Sequence, residues 1–85
     1  MHITDQFYSF RVIIEPDKPS GYHGFVPLLP GVHTFGQTVD ETRVNLKEAI
    51  TCHIQGMMKD NEEIPSEEDV YEFVQTFSDR EFRRG

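Results

Sequence analysis

Residues 21–38 read GYHGFVPLLPGVHTFGQT. The two arms of this stretch, about 22–26 and 32–36, alternate apolar with small or polar residues, as half-buried strands do. Between them, Pro27-Leu28-Leu29-Pro30-Gly31 is turn chemistry interrupted by two leucines. If Val26 faces Val32 across the loop, Phe25 opposes His33 and His23 opposes Phe35. One face then holds Tyr22, Gly24, Val26, Val32, Thr34 and Gly36; the other holds His23, Phe25, His33 and Phe35. A slip of one residue would exchange the faces, so this register decides fold and site together.

Working outward, residues 7–14 (FYSFRVII) are aromatic and β-branched and read as a first strand. Tyr8, Phe10, Val12 and Ile14 would share one of its faces, and Phe7, Ser9, Arg11 and Ile13 the other. EPDKPSG then breaks the pattern. On the other side, Thr38-Val39-Asp40-Glu41 is a capping box, and Gly36 before it lets the chain turn. The spacing predicts a helix over 39–59, with Val39, Leu46, Ala49, Ile50, His53 and Met57 on one stripe, widened by Ile54 and Met58. Cys52 is expected to be a buried, inert thiol. Residues 60–69 carry six acids and one proline and read as a solvated connection. Residues 70–77 (VYEFVQTF) fit either a helix, with a stripe of Val70, Phe73, Val74 and Phe77, or a strand. The strand is preferred, because it would cover an open sheet edge. The last eight residues read as a frayed or short helical tail. The expected fold is α+β, β-β-β-α-β, with an antiparallel three-stranded sheet, a C-terminal edge strand and one helix on one face.

The chain has 85 residues, one domain's worth. Such a domain buries only about 60–65 % of its unfolded surface, so its core is thin and readily completed by a partner. The single cysteine, the absence of a signal-peptide pattern and the lack of a run of ~20 apolar residues point to a cytoplasmic protein. Fifteen acids against eight bases give a net charge of −7. This repels phosphate backbones, and Arg80, Arg83 and Arg84 are too few to offset it, so no direct nucleic-acid binding and no membrane contact are expected.

Catalysis finds little support. A two-metal nuclease site needs carboxylates converging from within the first strand, and none occurs there before Glu15. Two imidazoles, His23 and His33, without a nearby cysteine or acid make a weak metal site, so no metal and no cofactor are expected. Cys52 and His53 are adjacent on a helix and point about 100° apart. They form no catalytic pair.

The ordered set Ile14-Glu15-Pro16-Asp17, Gly21-Tyr22, Val26-Pro27, Leu29-Pro30-Gly31, Gly36, Thr38, Glu41, Lys47-Glu48-Ala49-Ile50 and Ile64-Pro65 resembles the HicB-type antitoxins over about residues 7–65. The resemblance implies a partly degraded ribonuclease-H-like fold and a role in binding and silencing a small basic RNA-cleaving toxin of the HicA type. It departs from the family pattern at Val32, where a cysteine is common. Only about 20 residues follow Pro65, too few for the helix-turn-helix that full-length antitoxins add.

The sheet face bearing Phe7, Ile13, His23, Phe25, His33 and Phe35 is too apolar for plain solvent exposure. Together with Leu28 and Leu29, held between prolines, it is the expected partner or oligomer interface. A two-fold homo-oligomer is the simplest way to cover it. For the leucines, one buried and one exposed is the expected outcome. Glu62, Glu63, Glu67, Glu68 and Asp69 are the candidates for steering a basic partner, against the plainer reading of a solvated linker. The alternative function is an orphan self-associating structural or regulatory module with no toxin; a small metal-dependent hydrolase is a distant third.

Overall fold

The computed structural model describes residues 5–83. Three short strands follow one another: β1 Ile13–Pro16, β2 Tyr22–Phe25 and β3 His33–Gly36. They pair in sequence order and antiparallel, as connections too short for a crossover require. Phe25 opposes His33 and His23 opposes Phe35, the register that the valine pair predicts. In the other ladder Ile13 opposes Phe25 and Glu15 opposes His23.

The loop between β2 and β3 folds back on the sheet. The Leu29 N–H donates to the Val26 carbonyl at 3.0 Å, and the Val32 N–H donates to the Leu29 carbonyl at 3.1 Å. Gly31 closes the second turn at φ +92°, where a side chain would be strained. This geometry puts Leu29 in the core with Val26, Val32 and Leu46, at 2 % exposure, and leaves Leu28 half-buried. Burying a leucine is worth roughly 1.5–3 kcal/mol, which decides against displaying it in water.

Helix α1 spans Val39–Lys59. The Glu41 N–H donates to Thr38 Oγ1 at 3.0 Å, the threonine half of the expected capping box. Acids fill its first turn and Lys59 its last, matching the helix dipole. The helix lies over β3 and β2 and barely reaches β1. Glycines permit the close approach: a Cβ at Gly24 would lie 2.6 Å from Leu46 Cδ1, and one at Gly36 would lie 2.7 Å from the Thr42 nitrogen. Gly36 therefore makes room for Thr42 rather than serving a turn. Thr42 and Leu46 are buried, with Ala49, Ile50 and Ile54 half-buried beside them.

Four expectations for the helix fail: Val39, His53 and Met58, placed on the apolar stripe, and Cys52, expected to be buried, are all exposed. A 21-residue helix is about 31 Å long, while a four-residue strand covers about 13 Å. The helix therefore reaches past the sheet at its ends, whereas Cys52 is exposed because it lies about 120° round the helix from Leu46, and Ile54 beyond it still packs on the core.

Two further corrections concern strands. The first ladder begins at Ile13, not at Phe7, because β2 ends at Phe25 and offers no partner beyond it. Residues 7–12 run on outside the ladder. Phe10 still packs on the core, while Phe7 is 88 % exposed. The expected fourth strand over 70–77 is absent: no ladder forms there among the described residues. Past the helix, Glu67 donates its N–H to the Ser9 carbonyl at 2.7 Å, and Ser66 Oγ accepts from the Ser9 N–H at 2.9 Å. The chain then bends at Asp69, φ +55°. Residues 70–77 leave the body as an arm, ended by the one-turn helix α2, Asp79–Phe82.

Candidate functional site

Cross-strand pairing builds a layer of rings on the sheet face opposite α1. The His23 and His33 rings stack at 5.2 Å with 6° between planes, and His23 Nε2 lies 3.0 Å from His33 Nδ1. That contact needs one nitrogen to donate and the other to accept, so at least one ring is neutral when it forms. Phe25 stacks on His23 at 5.6 Å and Phe35 tilts against it at 5.1 Å. The four rings form one continuous layer. His23, Phe25 and Ile13 are half-buried; His33 is exposed, and Phe35 is 61 % exposed. Pairs of this kind contribute about 0.2–1 kcal/mol each to the sheet, so the layer also has a plain structural value. Its outer surface is flat and aromatic, with the Glu15 carboxylate at one edge opposite His23.

The structure divides the sequence candidates. Ile13, His23, Phe25, His33 and Phe35 come together. Phe7 lies outside the ladder. Leu29 is a core residue and leaves the candidate interface, and Leu28 is half-buried in the loop. Among the acids, Glu62, Glu63, Glu68 and Asp69 are exposed. Glu67 is engaged instead: its carboxylate accepts from Arg11 Nε at 3.2 Å, and its side chain is only 12 % exposed. Arg11 also meets Glu72 at 3.5 Å. The hydrogen bond and charge of Glu67, with a smaller contribution from Glu72, raise the Arg11 pKa above its ordinary value, so this cation does not titrate in any working range. Among the basic tail residues, Arg83 pairs with Asp79 at 2.9 Å, and Arg84 lies outside the described residues.

Among the described residues no three His, Cys, Asp or Glu side chains are grouped to hold a metal ion. Also among them, no helix is long and apolar enough to cross a membrane. Sequence reasoning missed two features. One is an open groove of about 540 Å³ between α1 and the chain entering β1, lined by Val12, Arg43, Val44, Leu46, Lys47 and Ile50 among others. The other is the exposure of the whole arm. The signal for the groove was Val44, an apolar residue off the predicted stripe.

The domain is thus a three-stranded antiparallel meander covered by one helix, with an aromatic layer on its open face and a net charge of −7. The chain belongs to the HicB-like antitoxin family of bacterial toxin–antitoxin systems, whose profile matches residues 10–83. A UPF0150 protein of Synechocystis is 35 % identical over 63 residues, 74 % of this chain and 80 % of that one. A UPF0150 protein of Thermoplasma acidophilum is 45 % identical over 56 residues, 66 % of this chain and 81 % of that one. The crystal structure of the N-terminal domain of the Burkholderia pseudomallei antitoxin HicB superposes with a TM-score of 0.60 at 28 % identity, covering 88 % of this chain and 80 % of that domain. The three-stranded sheet with one helix is thus the fold of that antitoxin domain.

Proposed function

We propose that this chain is a non-enzymatic antitoxin acting in the cytoplasm, which binds and occludes a small basic RNA-cleaving toxin of the HicA type. The observation that carries the reading is the ring layer of His23, Phe25, His33 and Phe35. It lies on the one sheet face that α1 does not cover, with His33 and Phe35 exposed and His23 and Phe25 half-buried between them. Rigid aromatic side chains there can anchor a partner at low entropic cost. The net charge of −7, with Glu62, Glu63, Glu68 and Asp69 projecting from the linker, supplies long-range attraction for a basic protein and repels nucleic acid. Family membership supports a toxin as the kind of partner.

Co-expression with the product of the neighbouring reading frame, followed by co-purification, tests this. A basic protein retained by the wild type and lost with Phe25→Asp plus Phe35→Asp is the expected result. Retention by that double variant would remove the ring layer from the contact. An orphan self-associating module is the competing reading, favoured by the exposed apolar arm; the absence of any co-purifying partner would support it. The purified chain is expected to leave RNA intact with Mg²⁺ or Mn²⁺. Cleavage abolished by Glu15→Gln or Asp17→Asn would overturn the non-enzymatic assignment.

A further inference from the structure

The aromatic layer is not the largest apolar surface this chain leaves uncovered. Val70 is 50 % exposed, Tyr71 80 %, Phe73 74 %, Val74 93 % and Phe77 55 %. An extended segment puts Tyr71, Phe73 and Phe77 on one side and Val70 and Val74 on the other. The arm gives the molecule a radius of gyration of 17.4 Å, against about 12 Å for a compact chain of this length, and a long axis of 64 Å. The arm's ion pair to the body, Glu72 with Arg11 at 3.5 Å, is half exposed and leaves its rings in water. The conformation of the arm suits a strand awaiting an edge.

We propose that the arm, residues 70–77, docks on a second copy of this chain. It lies along the free outer edge of β1 and inserts rings into the groove between that edge and α1, and the two copies exchange arms reciprocally. Four observations identify this occupant. First, β1 ends the three-stranded sheet, so among the described residues no strand lies beside the outer side of Ile13–Pro16. The contact of Ser9 with Ser66 and Glu67 occupies only the chain before β1. Second, the groove is apolar along Val12, Val44, Leu46 and Ile50 and open to solvent, with Asp40, Arg43 and Lys47 at its rim. Residues 70–77 carry a single charge, Glu72, already paired with Arg11, so the segment brings rings and aliphatic side chains to that apolar floor without an unpaired charge.

Third, the arm does not fold back onto its own groove. The bend at Asp69, φ +55°, turns it away, with Arg11 pinning Glu67 before the bend and Glu72 after it. A short hinge that directs an element outward is the geometry of exchange between identical chains. Fourth, the area is sufficient. Each arm offers three rings of roughly 150–250 Å². Two arms, with the groove surface they cover, pass the ~1,200 Å² of a specific interface. This assignment is independent of the toxin reading and leaves the ring layer of Phe25 and Phe35 free.

Sedimentation of the full chain and two variants tests it. The wild type should be a dimer at micromolar concentration. Phe73→Asp with Phe77→Asp, altering the arm, should raise the dissociation constant at least roughly 30-fold, as loss of hot-spot aromatics does. Val44→Asp, altering the groove from an exposed helix position, should do the same. Circular dichroism should show both variants folded, since neither changes a core residue. Mixing the two at a concentration well above the wild-type dissociation constant should give heterodimers weaker than the wild type, because one of the two contacts, the arm of the Val44→Asp chain in the groove of the other, is intact. A monomeric wild type, dimers that survive the arm variant, or a mixture that stays monomeric would overturn the proposal. So would dimers abolished by Phe25→Asp with Phe35→Asp and unaffected by the arm variant; that result would make the ring layer the self-association surface.

Discussion

Gly24 has no side chain because the helix occupies the space. A methyl there would lie 2.6 Å from Leu46 Cδ1 and 2.9 Å from Thr42 Cγ2, closer than carbon atoms approach. Gly24→Ala is therefore expected to destabilise by about 1–3 kcal/mol, the usual cost of overpacking, measured by urea denaturation. The two loop leucines give a sharper contrast. Leu29→Ala removes a core side chain and should cost about 2–5 kcal/mol. Leu28→Ala removes a half-buried one and should cost less than half as much. Equal losses would mean that the loop does not fold back as described. At this scale the sequence was readable in part. Two leucines between prolines announced a functional or structural role for the loop. Which leucine goes inside depends on the turns at Val26–Leu29 and Leu29–Val32, and those follow from the hairpin's closure rather than from local preference.

At the scale of elements, helix α1 was the most legible part of the chain. Its start at Val39 follows from the Thr38 cap, and its end at Lys59 from the polar residues beyond. Thr38→Ala should cost about 1 kcal/mol. Gly56 lies inside the helix with nothing within 4 Å of where a Cβ would stand. Gly56→Ala should accordingly raise stability by roughly 0.5–1 kcal/mol, seen as an upward shift in the thermal midpoint. No gain would place the last turns of the helix in a frayed state. The buried stripe was less legible than the helix itself. Periodicity marks which residues share a face, but not how wide the covered part of it is: Ile54 packs on the core and Met57 is half-buried, while His53 and Met58 beside them are exposed. The strand over 7–14 failed for a related reason: a strand is defined by its neighbour, and β2 is only four residues long.

For the whole molecule, the proposed toxin contact assigns the approach to charge and the contact itself to shape. Reversing Glu62, Glu63 and Glu68 to lysine should slow association with a basic toxin at low ionic strength while leaving the dissociation rate nearly unchanged. The difference should fade as salt rises past roughly 0.15 M, where the screening length is about 8 Å. Stopped-flow measurement across a salt series checks this. A salt-independent defect would show that these acids make direct contacts instead. Glu67 is left out of the set because Arg11 already holds it.

The sequence by itself determined the order of elements, the hairpin register, the extent of α1 and the sheet face that stays uncovered. Each of these rests on short-range rules: alternation in strands, helical spacing, capping chemistry and the pairing that a tight loop imposes. Tertiary structure alone decided that Leu29 is core, that Cys52 and His53 are exposed, and that residues 70–77 form an arm rather than a fourth strand. VYEFVQTF has the composition of a strand wherever it lies. Whether it pairs depends on the path the chain takes through residues 60–69. That path is set by where the long helix ends, by the Arg11–Glu67 contact and by the bend at Asp69, which are relations between residues far apart in the sequence.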